Sequence, residues 1–446
     1  MQDHGPREIA KRDLVTSLLR AVFDIRGYER TETPMLEQTE LYLRKSGGAL
    51  ASRLYDFLEP GGFAVSLRPE FTSAILRYIA DTTDLNGTFR LMYDGPVFRY
   101  AGPEEEDGDK ERQFVQLGAE MIGPPHRSAD GEIIAMSLEG LDALGINNPR
   151  VVVGHVGVIL AALGEFNLSE RAKLFLVNSI GELKKGQLDV ITKRAAKLGF
   201  AANIVIDDAR LIAERNRLAS RIQLVTKGDP GAPLDDKTGL RTTSDIISRL
   251  SRKMSQADNP ENFKQALKML SRLTQVNGPV KEAVARATEI FSSNGIKNNL
   301  VCDLTEVLNA AEIEGVTGDR IEVDFGLVRD IAYYTGVLFD IYAGDNNDTA
   351  MGGGGRYDGL TRALGYKRDV PALGFAYNLD AVIAAVPNNM ESVDEPLAIS
   401  PVESGSVKSA VIKARRLRAA GQRAYVTFVN PEGPASNRNT TKGREI

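Results

Sequence analysis

The chain has 446 residues, of which 42% are hydrophobic and 26% charged, and its formal net charge at pH 7 is -5. A chain of this length is too long for one compact core, so two or three domains are expected. The small net negative charge argues against a large surface for binding nucleic acid. No apolar stretch approaches the roughly 20 residues that span a bilayer, and the polar N-terminus carries no apolar signal segment. Both features favour a cytoplasmic protein without membrane contact.

Cysteine and histidine usage restricts the chemistry. The single cysteine, Cys302, excludes an internal disulfide and a cysteine-based metal site. The three histidines, His4, His126 and His155, are widely separated and have no metal-ligand spacing. The sequence therefore predicts no metal, no cofactor and no catalysis that centres on a histidine side chain.

Taken in chain order, the first part of the chain alternates helical and strand patterns. The apolar residues of Pro6–Arg26 recur near helical spacing, which predicts an amphipathic helix. Apolar runs and turn residues then predict a strand at Tyr28–Pro34, a hairpin between Leu54 and Leu67, a helix at Phe71–Ile79, and strands at Thr88–Tyr100 and Phe114–Gly123. Short strands with tight connections and flanking helices predict an α+β fold, an antiparallel sheet with helices on one side.

The pattern changes between residues 182 and 309, where the chain becomes helical and charged, which predicts an inserted helical domain. Strand patterns return at Ile321–Phe325 and Val337–Ala343, and a linker rich in Pro, Glu and Ser follows Pro387. The predicted domain boundaries are 1–181, 182–309, 310–387 and 388–446.

The C-terminal part is short and basic. A helix is predicted at Val407–Ala420 and a strand at Arg423–Val429. The polar stretch from Asn430 to the end is expected to be disordered. The basic face of the helix is more simply explained as a solvated surface than as a nucleic-acid site.

The first segment with a candidate function is Leu67–Thr72, where a strand leads into a helix. Pro69 prevents the helix from extending backwards, which leaves Glu70 and Thr72 at the end of the sheet. A carboxylate and a hydroxyl there suit an ammonium group. The alternative is that Glu70 only pairs with Arg68 or Arg77, and the segment alone leaves both open.

The second segment is the strand pattern that follows Arg112. Alternation places Gln116, Gly118 and Glu120 on one face of this strand. A polar face within an otherwise apolar sheet is costly to bury without a partner, and Gly118 would leave room for one. A solvated strand face is the alternative explanation.

Three later segments complete the set. They are Leu327–Gly336, Gly353–Leu360 and Pro371–Asp380. Glycines in such runs permit close approach of a ligand or a neighbouring strand. The four-glycine run at 352–355 alone is more typical of a turn than of a site.

In this order and spacing, the five segments resemble the catalytic core of histidyl-tRNA synthetases, over roughly residues 5–180 and 318–385. Gly27–Glu37 is similar to the dimer-forming first motif of class II aminoacyl-tRNA synthetases, and 329–336 and 354–360 are similar to the two histidine-specific signatures. The resemblance implies a class II-like antiparallel sheet flanked by helices, with the helical insertion in the usual place.

The resemblance also implies roles for individual residues. Glu70, Thr72 and Gln116 match residues that hold the α-amino group of histidine. Glu120 and Tyr334 match contacts to the imidazole ring, with Tyr333 beside them in the same signature. Arg329 matches a cation that neutralises carboxylate and phosphate, and Arg99, with Arg112, matches the phosphate-binding side of the site.

Two departures fall on the nucleotide side. Ala101 stands where the synthetases have a glutamate that reads adenine, and Ala381 stands where they have an arginine that meets the γ-phosphate. The loss of one such group typically slows catalysis about 100- to 1000-fold. We therefore expect Arg99 and Arg112 to be vestigial and the chain to have no catalytic residues. Pro396–Val429 also resembles only the first half of an anticodon-binding domain.

These features are similar to those of the synthetase-like regulatory subunits of ATP phosphoribosyltransferase. The resemblance implies a non-catalytic subunit of the first step of histidine biosynthesis, under feedback control by histidine. Its implied partners are the short-form catalytic subunit, a second copy of the chain within a hetero-oligomer, and L-histidine, without tRNA. Two alternatives stay open, a divergent histidyl-tRNA synthetase and a histidine-sensing scaffold for another partner.

Overall fold

A computed structural model describes residues 3–44, 50–101, 112–200, 258–297, 301–329, 333–344 and 349–387, together with 397–399, 406–420, 422 and 424–426. Contacts divide the chain into two compact units. The first consists of Met1–Asp3 and Arg12–Val386, and the second of His4–Lys11 and Pro387–Ile446.

The strands of the described residues are β1 (Glu29–Arg30), β2 (Leu36–Gln38), β3 (Asp56–Leu58), β4 (Ala64–Leu67), β5 (Phe89–Phe98), β6 (Gln113–Ile122), β7 (Arg150–His155), β8 (Asn277–Pro279), β9 (Ile321–Asp324), β10 (Val337–Tyr342), β11 (Gly352–Arg356), β12 (Ala372–Asn378), β13 (Leu397–Ile399) and β14 (Ala424–Val426).

The helices of the same residues are α1 (Pro6–Ile25), α2 (Thr39–Leu43), α3 (Thr72–Thr82), α4 (Arg127–Ala143), α5 (Val156–Gly164), α6 (Glu170–Asn178), α7 (Ile180–Lys184), α8 (Leu188–Lys197), α9 (Pro260–Leu273), α10 (Val280–Ser293), α11 (Cys302–Ile313), α12 (Leu360–Ala363), α13 (Leu379–Ala385) and α14 (Val407–Ala419). None of these helices has the length and apolarity that crossing a membrane requires.

A large sheet forms the centre of the first unit. Its nine described strands follow the order β1-β5-β6-β12-β11-β10-β7-β9-β8. Neighbours are antiparallel except for β1 with β5 and β7 with β9, which are parallel. The predicted class II-like fold, a central sheet with flanking helices, is confirmed, and the two parallel pairs make the sheet mixed.

The helix predicted at the N-terminus is confirmed as α1. Val15, Leu19 and Phe23 are buried on one face of it, as the helical period requires. The Phe23 ring packs against Phe375 and Tyr377 of β12, with ring centroids 5.6 and 6.4 Å away. The apolar face of α1 thus covers the strand that also carries part of the candidate site.

The four-glycine run is a strand and not a turn. It forms β11, between β10 and β12. A Cβ at Gly354 would lie 2.0 Å from the carbonyl oxygen of Gly374, and one at Gly353 would lie 2.2 Å from that of Phe339. These distances are shorter than any real contact, so glycine is required by close strand packing rather than by chain reversal.

The segment predicted as a helical insertion is described outside residues 201–257 and 298–300, and there it is mostly helical. Its short strand β8 pairs with β9 of the central sheet. Helix α11 packs against α4, where a Cβ at Gly131 would lie 2.5 Å from the backbone of Ala310. The predicted domain boundaries remain predictions.

In the second unit, the predicted basic helix is confirmed as α14, and β14 pairs with β13 in parallel. Ala410 and Ala414 of α14 are buried against Ala424 of β14. The tail predicted to be disordered, from Asn430, lies outside the described residues.

Candidate functional site

A cavity of about 320 Å³ opens over β5, β6, β10, β11 and β12 and the start of α3. This volume is at the lower end of the range for small-molecule sites. It is lined by every predicted histidine-binding residue, Glu70, Thr72, Gln116, Glu120, Arg329, Tyr333 and Tyr334, and by Arg99. Arg112 does not line it, because its guanidinium lies over the ring of Tyr100, 5.8 Å from the ring centre.

Glu120 lies at the buried end of the cavity, with 1% of its surface exposed. Its Oε1 accepts hydrogen bonds from the hydroxyl of Thr72 at 2.6 Å and from that of Tyr93 at 3.2 Å. Its Oε2 accepts one from the hydroxyl of Tyr357. The carboxyl is thus held by groups from α3, β5 and the end of β11, which fixes its orientation.

Two glycines make room for this arrangement. Gly374 lies opposite Glu120 on β12, and a Cβ there would come within 1.7 Å of Glu120 Oε2. Gly118 lies opposite Tyr93 on β5, and its Cβ would lie 2.7 Å from the tyrosine hydroxyl. The room predicted beside Gly118 is therefore taken by a hydroxyl of the protein itself.

Burial sets the electrostatics of the two carboxyl groups. It raises the pKa of Glu120 from 4.5 to about 8, and it also raises the pKa of Glu70, because a charged carboxylate loses its hydration inside the protein. Both groups hold their protons more tightly than exposed carboxyls. A cationic ligand would offset that cost and favour the charged forms.

Glu70 occupies the turn between β4 and α3, where its carboxylate accepts a hydrogen bond from the backbone N–H of Ser73 at 3.1 Å. The predicted alternative was pairing with Arg68 or Arg77. Arg68 instead donates to backbone carbonyls of Thr33 and Pro96, and Arg77 pairs with Glu37 at 2.6 Å. Neither arginine shares a described hydrogen bond or ion pair with Glu70.

Gln116 and three tyrosines form the remaining polar and aromatic walls. The Oε1 atom of Gln116 is buried and has no hydrogen-bond partner among the described residues. Such an acceptor is costly unless a donor arrives, so it favours a ligand with an N–H group. The ring of Tyr333 lies 5.0 Å from Tyr334 and 5.4 Å from Tyr357, between centroids.

Two arginines face the cavity. Arg329 forms an ion pair with Asp340 and donates to the carbonyl of Phe339 at 3.1 Å. Arg99 donates to the carbonyl of Pro69 at 2.9 Å, and its guanidinium lies 5.1 Å from the ring centre of Phe114. Burial lowers the pKa of Arg99, which marks a cation with poor access to water.

The positions of the two sequence departures have local structural roles. Ala101 is buried. Ala381 lies in the first turn of α13, where its backbone N–H donates to the side chain of Asn378 at 3.4 Å. Asp380 pairs with Arg12 at 3.0 Å. Neither alanine supplies a charge to the site.

The residues of the site that were not assigned a role from the sequence include Tyr93, Tyr357 and Asp340, which bind Glu120 or Arg329. Tyr357 lies within the segment 353–360, so its position was an available signal, whereas Tyr93 and Asp340 are brought in by strand pairing. In the described part of the chain, no group of three His, Cys, Asp or Glu residues could hold a metal ion.

Comparison with known proteins gives a consistent result. The protein-family model described as histidyl-tRNA synthetase matches residues 1–229 and 239–382. The histidine--tRNA ligase of Methanocaldococcus jannaschii is 28% identical over 424 residues, covering 94% of this chain and 83% of the relative. That of Pyrococcus abyssi is 26% identical over 434 residues, covering 95% and 84%.

Solved structures agree on the fold. A structure described as an ATP phosphoribosyltransferase regulatory subunit/histidyl-tRNA synthetase from Bacillus halodurans C superimposes with a TM-score of 0.63 at 23% identity, covering 96% of this chain and 90% of that one. The histidyl-tRNA synthetase of Nostoc sp. PCC 7120 gives a TM-score of 0.59 at 18% identity, covering 96% and 85%. At these identities the similarity concerns the fold alone.

The sequence relatives contradict two linked predictions. The chain was expected to be a regulatory subunit of ATP phosphoribosyltransferase and to have no catalytic activity of its own. The curated relatives described above are histidine--tRNA ligases, and the matches extend over most of both chains. Both predictions are therefore wrong. They rested on two missing side chains and on a C-terminal segment that resembles only half of an anticodon-binding domain. The missing side chains bear on the rate of a reaction and not on the ancestry of the chain.

Proposed function

The chain belongs to the histidyl-tRNA synthetase family, and from this premise we propose that it is an ATP-dependent histidine ligase that acts on tRNA. It activates histidine as the adenylate and transfers the histidyl group to tRNA. From the sequence, tRNA was not expected as a partner, and this proposal takes the opposite position. It corresponds to the divergent histidyl-tRNA synthetase that the sequence left open as an alternative. A cytoplasmic location is part of it.

The observation that carries this proposal is the set of complementary groups around the cavity. Glu70 and the unpaired Oε1 of Gln116 offer acceptors for the α-ammonium group of histidine. Glu120 and Tyr334 lie where an imidazole can contact a carboxyl group and a phenol. A buried carboxyl group prefers a ligand with an N–H donor and positive charge, which free histidine provides.

The chemical step requires cations near the reacting atoms. A carboxylate oxygen of histidine attacks the α-phosphorus of ATP, and the bond to pyrophosphate breaks. Arg329, among the groups that face the amino acid, neutralises the attacking carboxylate, and Arg99, beside Phe114, stabilises the negative charge that develops on the α-phosphate as pyrophosphate leaves. Such preorganised charges contribute most in a site with little water.

The alanine at 381 lowers the expected rate. Among the described residues that line the cavity, Arg99 and Arg329 are the cations. The position where the synthetases carry a further arginine, for the γ-phosphate, is Ala381. The loss of one such group corresponds to about a 100- to 1000-fold slower step, so we expect a slow but histidine-dependent activity.

A symmetric homodimer is part of the same proposal. The small sheet β2-β4-β3 and the segment before it expose several large apolar side chains, Met35, Leu36, Phe57, Leu58 and Phe63. Exposed apolar patches of this kind mark interfaces, and a two-fold interface buries the same patch on each copy. Sedimentation of the isolated protein at micromolar concentration should give a dimer, and a monomer would contradict this part of the proposal.

The decisive experiment is histidine-dependent exchange of pyrophosphate into ATP, followed by charging of tRNA with labelled histidine. Wild-type protein should show exchange that disappears without histidine. Glu120→Ala should abolish it, whereas Glu139→Ala, which removes a partly exposed carboxylate paired with Arg26, should not. The proposal is refuted if saturating histidine and ATP give no exchange above the Glu120→Ala background.

A further inference from the structure

Arg329, one of the two cations among the described residues that line the cavity, is already engaged by a carboxylate of the chain. Its Nη1 atom donates to Asp340 Oδ1 and to the carbonyl of Phe339. Both Arg329 and Asp340 line the cavity, and their side chains are 25% and 15% exposed. A ligand carboxylate that approaches Arg329 therefore meets a guanidinium that is partly neutralised.

The neighbouring strand is built to accommodate this pair. Gly353 of β11 lies opposite Phe339 and Asp340 of β10, with Asp340 as its register partner. A Cβ at Gly353 would lie 2.0 Å from Arg329 Nη1 and 2.8 Å from Asp340 Oδ1. Any side chain at position 353 would displace the arginine, so the glycine strand and the ion pair fit each other.

We propose that Asp340 occupies Arg329 in place of the carboxylate of the amino acid, and thereby sets how strongly the site selects for that carboxylate. This inference rests on the proposed function and concerns the same cavity. The amine meets an acceptor without a described partner, Gln116 Oε1, whereas the carboxylate must compete with Asp340 for Arg329. In the wild-type protein the carboxylate should then add little affinity.

The competition has a measurable size. A hydrogen bond from an unoccupied cation to a carboxylate is worth roughly ten- to hundredfold in affinity. When a carboxylate of the protein must leave first, the net gain is the difference between two similar ion pairs. Histidinol carries a hydroxymethyl group where histidine carries its carboxylate. The dissociation constants of the two ligands for the wild type should therefore lie within about tenfold of each other.

Replacement of Asp340 by asparagine removes the competing charge and keeps the side-chain size. Asp340→Asn should strengthen histidine binding relative to histidinol by about tenfold or more. Asp94→Asn is the matched control, since Asp94 also pairs with an arginine, Arg20, at 2.6 Å and its side chain is 18% exposed. Asp94 does not line the cavity, so Asp94→Asn should leave the ratio of the two affinities unchanged.

Titration calorimetry with histidine, histidinol and histidine methyl ester measures these ratios, and thermal melting reports whether each variant folds. An unchanged ratio in folded Asp340→Asn overturns the inference and leaves the proposed function intact. If that variant does not fold, the affinities of the wild type are the test. The inference is overturned if the wild type binds histidine more than about a hundredfold more tightly than histidine methyl ester and histidinol. Absence of histidine binding to the wild type overturns the inference and the proposed function together.

Discussion

Glu120 is the residue whose environment makes the sharpest prediction. Its carboxyl is buried and held by three hydroxyl groups, and burial raises its pKa from 4.5 to about 8. Glu120→Gln keeps the shape and removes the titration. We predict that the variant changes the pH dependence of stability in a defined direction.

The sign follows from proton linkage. Between pH 4.5 and about 8 the folded state retains a proton that the unfolded chain has lost. The free energy of unfolding of the wild type therefore falls as pH rises through this window, at up to 1.36 kcal/mol per pH unit for one proton. Over the whole window this corresponds to roughly 5 kcal/mol, and above it the loss is complete.

The assay is urea unfolding of the wild type and Glu120→Gln at pH 5, 6, 7 and 8, compared at each pH so that other titrations cancel. The stability of the variant relative to the wild type should increase steadily with pH. Tyr357→Phe is the matched control: it keeps the carboxyl group and removes one donor to the carboxylate, so the wild-type trend should persist and extend to higher pH. A constant difference between Glu120→Gln and the wild type across this range would refute the reasoning.

Three further predictions follow from the same structure. Ala381→Arg places a cation where the family has one, and the pyrophosphate exchange rate should rise about 100-fold; no gain would show that the position no longer faces the nucleotide. Burial lowers the pKa of His155 from 6.5 to about 4, so acid should destabilise the wild type by roughly 3 kcal/mol between these pH values. His155→Asn keeps an acceptor for the N–H of Val158 and should lack this loss in urea unfolding. Asp130→Asn breaks the buried pair with Arg356, whose Nη2 lies 2.7 Å from Asp130 Oδ2, and should destabilise the protein by about 3–5 kcal/mol; thermal melting of a soluble variant at the wild-type temperature would contradict this.

Much of the site could be predicted from local patterns. Period-two alternation places Gln116 and Glu120 on one face of β6, and both line the cavity. The strand-to-helix junction places Glu70 and Thr72 at the start of α3. These inferences need only the neighbours of each residue along the chain, so no knowledge of strand pairing was required.

The function was misjudged for a different reason. The sequence shows which side chains are missing at 101 and 381, and the expected effect of such losses is on the rate of a reaction. A slower rate does not by itself change what a protein family does. The similarity over most of the chain to histidine--tRNA ligases outweighs these two positions and the short C-terminal segment, which together led to the expectation of a regulatory subunit.

The sequence by itself thus determined the fold class, the order of the segments and eight of the twenty residues that line the cavity. Periodicity and turn residues act over short distances, and the resemblance to histidyl-tRNA synthetases supplied the rest. Only the tertiary structure decided that the glycine run is a strand, that Tyr93 and Tyr357 hold Glu120, and that Asp340 engages Arg329. The first two depend on the register between paired strands, whereas the third joins Arg329 to a strand residue 11 positions further along the chain. A shift of one residue would turn every side chain to the other face, and the packing of the whole core selects the register.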